Sequence, residues 1–235
     1  MRKIRRITGI VFLVTILMAV IAFMAADWII GAAAQREATD SLGVATRVGA
    51  ARLWLGGSRL SLRDVTIDNP PGYSNSQLLD LGDIDLAIPL WQLQSRPLHV
   101  RQIDFVSPHL LLERRNGKWN VQMLGHSSAD PLRLFIDQVT VTGAVVTLRL
   151  NLTPGDKPMT VDVPTFTMDN IRASDGSGRG ATIKDALLQI TRAMTAKAIS
   201  PAQLAQQIAP GLPLGLRLPM GEWLDPFSTL GLEAK

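Results

Sequence analysis

Apolar residues occupy every second position through much of the stretch from Leu53 to Met123. A period of two is typical of β-strands, whose successive side chains point to opposite faces of a sheet. The pattern is clearest from Ile84 to Leu90, where Asp83 and Asp85 hold polar positions. A sheet of this kind has one apolar face that has to be covered. The sequence therefore predicts a β-rich domain and leaves open what covers that face.

Further strands follow from the same alternation and from turn residues between the segments. They are predicted at Val44–Val48, Leu53–Leu55, Leu60–Ile67, Leu79–Leu81, Leu132–Ile136, Val139–Val141, Val145–Leu150 and Met159–Phe166. Between Val100 and Ile103 the apolar pattern slips by one residue, which indicates a bulge or a bend between two short strands.

Asn116-Gly117 is the strongest local signal, because Asn-Gly favours the two-residue turn of a β-hairpin. With that turn, Arg114 faces Trp119 and forms a cation–π pair. Farther from the turn, Leu112 is predicted to face Val121 and Leu110 to face Met123. The opposite, wet face then carries Glu113, Arg115, Lys118, Asn120 and Gln122.

The period changes to three or four residues after Thr182, which predicts an amphipathic helix over Thr182–Ile199. Thr182 and Asp185 have the spacing of a capping box. Ser200-Pro201 predicts the start of a second short helix, which Pro210-Gly211 ends. The apolar, proline-containing tail from Leu212 to Phe227 is too hydrophobic for a solvated linker.

The N-terminus predicts a membrane anchor. Twenty uncharged residues, 7–26, follow four basic residues, and about 30 Å of helix crosses a bilayer. The basic residues place the N-terminus in the cytoplasm, and Trp28 lies at an interfacial position. A cleavable signal peptide ending near Ala34 is the alternative, although this apolar run exceeds the ~7–15 residues usual there. The anchor residues are Ile7, Ile10, Phe12, Leu13, Ile16, Leu17, Val20 and Phe23.

Charge and composition limit the partners. Of 24 basic residues four precede Ile7, which leaves 20 basic against 20 acidic residues in the exported part. A neutral domain argues against nucleic acid, since phosphate binding needs a basic surface. The chain has no cysteine, so disulfides and thiolate sites are excluded. The predicted organisation is an anchor at 1–34, a β-rich exported domain at 35–199, and a short helix with the apolar tail at 200–235.

No residue pattern indicates catalysis, a metal or a cofactor. His99, His109 and His126 have no metal-binding spacing, and the aspartates between Asp64 and Asp85 lack the pattern of a calcium loop. The glycine-rich segment 176–180 lacks the Lys-Ser/Thr of a phosphate-binding loop. We therefore predict a protein that is not an enzyme.

Several segments together resemble the AsmA-like family. They are the basic N-terminus with its span, Leu60-Ser-Leu-Arg-Asp-Val-Thr-Ile-Asp-Asn-Pro-Pro-Gly-Tyr73, the strand Ile84–Ile88, and Ile103–Glu113 with the following Asn-Gly-Lys-Trp-Asn. The resemblance covers roughly residues 1–125. It implies a single-span inner-membrane protein of the Gram-negative envelope, related to bridge-like lipid-transfer proteins. It also implies a curved, mostly antiparallel, trough-like sheet and a role in phospholipid traffic or outer-membrane homeostasis.

Within that interpretation, acyl chains of a bound phospholipid would contact one apolar strand face. The candidate residues are Leu86, Ile88, Leu110, Leu112, Val121 and Met123. Two alternatives remain at this point. The same face could be ordinary protein core, or the chain could be a tethered scaffold that recruits an envelope protein through edge strands or the apolar tail.

Overall fold

A computed structural model of the protein describes residues 27–92, 95–125, 131–150, 158–173, 175 and 178–198. Within these ranges no helix is long and apolar enough to cross a membrane. The predicted anchor with its eight named residues, His126, the second helix and the apolar tail all lie outside them.

The described residues form one sheet of twelve strands and two α-helices. The strands are β1 Thr46–Trp54, β2 Arg59–Asp68, β3 Gln77–Asp80, β4 Asp83–Ala87, β5 Leu98–Val106, β6 His109–Arg115, β7 Lys118–Trp119, β8 Arg133–Thr142, β9 Ala144–Arg149, β10 Met159–Val163, β11 Phe166–Ile171 and β12 Ala181–Thr182. Helix α1 covers residues 27–42, and α2 covers Ile183–Ala198. Short 3-10 turns lie at Leu55–Gly57, Leu90–Gln92 and Asn120–Met123.

Several of these strands continue one another across a corner. Strand β2 pairs with both β3 and β4, and the two pairings share one register, as Ile67 with Leu79 and Leu62 with Ile84 show. Likewise β5 and β6 form one bent strand, β8 and β9 a second, and β10 and β11 a third. The sheet thus has six strand positions. It is mostly antiparallel, as predicted, with parallel pairing of β5–β6 to β8–β9.

The corners form a row across the sheet, which we call the corner row: Asp64, Gly82, Ser107 and Gly143. All four have positive φ, between 52° and 65°, a left-handed conformation that turns the chain and disfavours most residues with a Cβ. A Cβ on Gly82 would lie 2.7 Å from the carbonyl oxygen of Val106 on the neighbouring strand. Glycine is therefore required there by both the backbone conformation and the close approach.

The corner row divides the sheet into two halves. Half-sheet I contains β4, β5, β8 and β11, half-sheet II contains β3, β6, β9 and β10, and β2 runs through both. The buried positions change phase at the corner, from Phe105 to Leu110 in one strand and from Val141 to Ala144 in the next. Beside the corner row, both halves therefore direct their buried side chains into one core. We call this side of the sheet the inner face.

Helix α1 runs along the free edge of β1. The backbone N–H groups of Thr46, Val48 and Leu53 donate to side chains of the helix. The acceptors are Thr39 at 3.1 Å, Gln35 at 3.3 Å and Asp27 at 2.9 Å. Because a helix advances about as far in four residues as a strand does in two, Thr39 and Gln35 match the spacing of Thr46 and Val48. The polar composition of Gln35–Ser41 predicts a short connector, but these residues are helical, so that prediction is wrong.

Helix α2 begins as predicted. The backbone N–H of Asp185 donates to the hydroxyl of Thr182 at 3.1 Å, and that of Thr182 donates to the Asp185 carboxylate at 3.1 Å. This capping box satisfies two of the N–H groups that every helix start leaves free. The helix contacts β9, β10 and β12, and β12 pairs with the start of β8. It therefore extends from half-sheet I to half-sheet II.

Four strand predictions need correction. The segments Val44–Val48 and Leu53–Leu55 were expected to be separate strands and lie largely in one strand, β1, and Leu132–Ile136 and Val139–Val141 likewise lie largely in one strand, β8. Strand β5 runs unbroken through Val100 and Ile103, and its parallel register with β8 is the same on both sides. The slip in the apolar pattern therefore marks the point where the buried side chains move from one face of β5 to the other. Strand β8 shows the same change between Ile136 and Val139. The stretch Met159–Phe166, expected to be one strand, is interrupted at its corner and continues as β11.

Candidate functional site

The inner face is an apolar surface that crosses both half-sheets. In half-sheet I, neighbouring strands place Ile84 beside Phe105 and Phe105 beside Val141. In half-sheet II, Leu79 lies beside Leu110, which lies beside Val146. All of these side chains are buried in one cluster. Adjacent apolar pairs of this kind are the unit that stabilises a sheet.

The six residues predicted to face lipid do not form one open strip. Ile88, Leu110, Leu112 and Val121 are buried in the core, and Leu86 is partly buried against it. Met123 is 47 % exposed, on the 3-10 turn after the hairpin. A ligand would reach the four buried residues only after the segments that cover them move.

Helix α2 packs against β9, β10 and β12, and its buried side chains belong to the same core as both half-sheets. Its eight buried residues are Ala186, Leu187, Leu188, Ile190, Thr191, Met194, Thr195 and Ala198. Half of them are alanine or threonine. The hydroxyls of Thr191 and Thr195 donate to the helix backbone, to Leu188 and Thr191 respectively. The contact face of α2 is therefore built partly from small side chains, and these two hydroxyls bond within the helix; Gln189 donates to the carbonyl of Arg172, just after β11, at 2.8 Å.

The predicted hairpin forms at its tip and then departs from expectation. Asn116 and Gly117 both have positive φ, 49° and 79°, as a type I′ turn requires. Arg114 pairs with Trp119, and its guanidinium lies 5.9 Å from the indole centroid, which confirms the predicted cation–π contact. Burial lowers the pKa of Arg114.

The pairs Leu112–Val121 and Leu110–Met123 do not form, because the chain leaves the strand as a 3-10 turn at Asn120. The side chain of Asn120 takes the place of the next strand residue. Its oxygen accepts the backbone N–H of Glu113 at 3.1 Å, and its nitrogen donates to the carbonyl of Leu111 at 2.8 Å. An amide side chain can do this because it offers both a donor and an acceptor.

Glu113 and Asn120 were predicted to be solvent-exposed, but both are fully buried. The Glu113 carboxylate accepts the backbone N–H of Ser74 at 3.0 Å and the Nε–H of Arg115 at 2.8 Å. Burial by itself would raise the pKa of Glu113, but these bonds and the charge of Arg115 lower it below its ordinary value. The hydrogen-bond partners of Glu113 therefore stabilise its ionised form.

The same cluster fixes the turn that begins at Asn69. Asn120 donates to the Asn69 side-chain oxygen at 2.8 Å, and Asn69 donates to the carbonyl of Ser74 at 3.2 Å. We call Asn69, Ser74, Glu113, Arg115 and Asn120 the polar staple. Its hydrogen bonds join the Pro-Pro-Gly turn to the hairpin, so it holds the fold together. In the sequence Asn69 and Asn120 each flank an apolar strand, but that pattern does not predict that they meet.

The titratable residues considered for metal binding are separated and have protein partners. Asp68 pairs with Arg47, Asp83 pairs with Arg63, and Asp85 accepts from Ser61. His99 Nε2 lies 2.8 Å from Asp137. The hydrogen bond and charge of His99, together with Arg172, lower the pKa of Asp137 below its ordinary value, against desolvation, which raises it. Among the described residues, no group of three or more His, Asp or Glu is placed to hold a metal ion.

Comparison with known proteins gives one match. The model of the AsmA family matches residues 1–152, from the N-terminus to just past β9. No curated protein and no solved structure is significantly similar to the chain.

Proposed function

Because the chain belongs to the AsmA family, we propose that it is an envelope protein that binds or passes phospholipid. Residues 7–26 anchor it in the inner membrane, and the sheet lies in the periplasm. The observation that carries this proposal is the apolar inner face, which is continuous across both half-sheets of a bent sheet.

The mechanism is passive shielding. Acyl chains lie against the inner face and are withdrawn from water at about 25 cal/mol per Å² of apolar surface, while the headgroup stays solvated. Leu86, Ile88, Leu110, Leu112, Val121 and Met123 are the proposed contact residues. Met123 is the exposed member of this set, and the buried members become available when their cover is displaced.

We assign the cover to α2. Its small buried residues give less apolar contact area than leucines would, and its hydroxyls are bonded within the helix. Removing the helix therefore leaves no hydroxyl partner on the sheet unsatisfied. Acyl chains that replace Leu187, Ile190 and Met194 would restore apolar contact with the sheet.

The size of the sheet limits what it does alone. Six strand positions at a spacing of ~4.8 Å span about 24 Å, far less than an envelope crossing. The protein therefore acts as an entry module, a shuttle segment or one unit of an assembly, in contact with inner-membrane lipid.

Native mass spectrometry with lipid analysis of the full chain, purified in mild detergent, tests this proposal. We expect phospholipid at a defined stoichiometry. Thr182→Ala with Asp185→Ala removes the α2 capping box, which weakens the helix start by about 0.5–2 kcal/mol, and should raise lipid occupancy. Lys197→Ala, at an exposed position of the same helix, is the matched control. A folded chain that carries no phospholipid contradicts lipid binding, and equal occupancy in all variants contradicts the role of α2.

One observation favours a second function, that of a tethered scaffold. Helix α1 occupies the β1 edge of the sheet, whereas among the described residues β10 pairs only with β9 and β11 only with β8. A partner protein could add a strand at this second edge. Co-purification of one stoichiometric envelope protein without lipid, lost when Val161 is replaced by proline, would support the scaffold.

A further inference from the structure

Large apolar side chains are exposed at one end of half-sheet I. Trp28 is 76 % exposed, Ile29 57 %, Trp54 59 % and Trp91 76 %. They come from three separate elements: α1, the end of β1 and the 3-10 turn Leu90–Gln92. Tryptophan is costly to leave in water, so three exposed indoles on one end require an explanation.

Backbone contacts bring these elements together. The N–H of Leu53, next to Trp54, donates to Asp27, next to Trp28, at 2.9 Å. The N–H of Ile88, three residues before Trp91, donates to the carbonyl of Ser58 at 2.9 Å. The tight connection Leu55–Ser58 joins Trp54 to Arg59, its cross-strand partner. The exposed tryptophans therefore border a single end of the sheet.

Arginines accompany the tryptophans. Arg52 lies two residues before Trp54 on the same side of β1, and Arg59 lies directly opposite Trp54 on β2. Both arginines are exposed. Tryptophan prefers the headgroup layer of a bilayer, and the planar guanidinium of arginine binds phosphate with two parallel hydrogen bonds.

The chain itself indicates which surface this end meets. Helix α1 begins the described part at residue 27, immediately after the twenty uncharged residues 7–26. A membrane-spanning segment there places Trp28 in the headgroup layer. Because Asp27 contacts Leu53, Trp54 lies at the same level of the sheet.

We propose that this end of half-sheet I is seated on the phospholipid headgroup layer of the membrane that carries the anchor. The seat, which we call the tryptophan rim, consists of Trp28, Ile29, Trp54 and Trp91 with Arg52 and Arg59. Trp54, Trp91 and the two arginines hold the sheet at a fixed orientation, with one end of the inner face against the bilayer. This inference is independent of lipid binding by the inner face.

Site-specific probes on the full chain test the rim, and the absence of cysteine allows one cysteine to be introduced at a time. Gly56→Cys places a probe beside Trp54, where a Cβ meets nothing within 4 Å, and Ser95→Cys places one four residues after Trp91. Lys118→Cys and Asp162→Cys, both exposed in half-sheet II, are the matched controls. Each variant carries an environment-sensitive fluorophore and is reconstituted in vesicles of phosphatidylethanolamine and phosphatidylglycerol that contain spin-labelled lipid.

We expect quenching at positions 56 and 95 to exceed that at 118 and 162 by about twofold or more. Adding Trp54→Ser and Trp91→Ser should reduce the quenching at position 56 to the level of the controls, with the circular dichroism spectrum unchanged. Equal quenching at all four positions would overturn the proposal. Retained quenching in the double serine variant would overturn the role of the two tryptophans.

Discussion

The buried carboxylate of Glu113 accepts the backbone N–H of Ser74 at 3.0 Å, across 39 residues of chain. This bond joins a strand of half-sheet II to the turn that follows β2. Most of the other contacts that hold this turn involve Arg115, Asn120 and Asn69. The staple is therefore a buried network whose members depend on one another.

Replacing Glu113 with glutamine should destabilise the protein by about 1–3 kcal/mol at pH 7, because a charged acceptor for Arg115 and Ser74 is lost. The pKa of Glu113 is lower in the folded protein. Its contribution to stability is therefore present above the unfolded carboxyl pKa of about 4.3 and is lost as the pH falls through the folded value. Urea unfolding at pH 7 and at low pH measures both effects. Asp162→Asn, at an exposed site, serves as control, and an equal loss at both pH values would contradict this role.

Replacing Asn120 with alanine should cost roughly 1–3 kcal/mol, because the N–H of Glu113 and the carbonyl of Leu111 lose their partner in a buried place. Amide exchange of Glu113 should accelerate more than that of residues in half-sheet I. Hydrogen exchange read by NMR tests this, with Lys118→Ala as an exposed control. If the backbone N–H of Glu113 exchanges no faster in the variant, the Asn120 side chain does not act in place of a strand partner.

Gly82→Ala should destabilise the fold by more than Gly178→Ala. Both glycines have a similar φ, +55° and +68°, but a Cβ meets Val106 in the first case and open space in the second. The control therefore isolates the conformational cost of about 1–2 kcal/mol, and the contact adds to it at Gly82. Thermal unfolding of the two variants gives the difference, and equal values would argue against close packing at the corner.

Thr39→Val with Gln35→Leu should free the outer N–H groups of β1. The two side chains accept from Thr46 and Val48, and an uncovered edge strand invites pairing with another chain. We expect faster amide exchange at residues 46 and 48, together with self-association in analytical ultracentrifugation. Arg36→Ala, on the exposed side of the same helix, should change neither. A monomeric double variant with protected amides would mean that the helix backbone alone covers the edge.

The hairpin turn at Asn116-Gly117 was predictable from sequence. The role of the Asn120 side chain, which bonds where a strand backbone would, was not. Asn116-Gly117 encodes its turn because only a few residues accept two consecutive positive φ angles. Asn120 carries no comparable mark, since its role depends on strand Leu110–Glu113 and the Asn69 turn meeting around it. The six candidate lipid contacts were chosen by alternation, and alternation cannot distinguish a buried apolar face from an open one.

Helix α1 was missed for a related reason. Residues Gln35–Ser41 are polar, and a polar segment between strands reads as a connector. In the structure its polar side chains face the edge of β1, whose backbone N–H groups require hydrogen-bond acceptors rather than apolar groups. The corner row was partly predictable, because the apolar alternation changes phase between Phe105 and Leu110. The positive φ angles of Asp64 and Ser107 could not be predicted from their residue types.

The corner row also limits how the length of this protein can vary. Each bent strand places its corner beside that of its neighbour, and the register of the paired strands does not shift at the corner. An insertion or deletion of one residue within a strand would move its corner away from the row and reverse the face of every residue beyond it. We therefore expect the fold to tolerate changes in length in connections outside the strands, such as residues 69–76, rather than between a corner and the strand residues paired on either side of it.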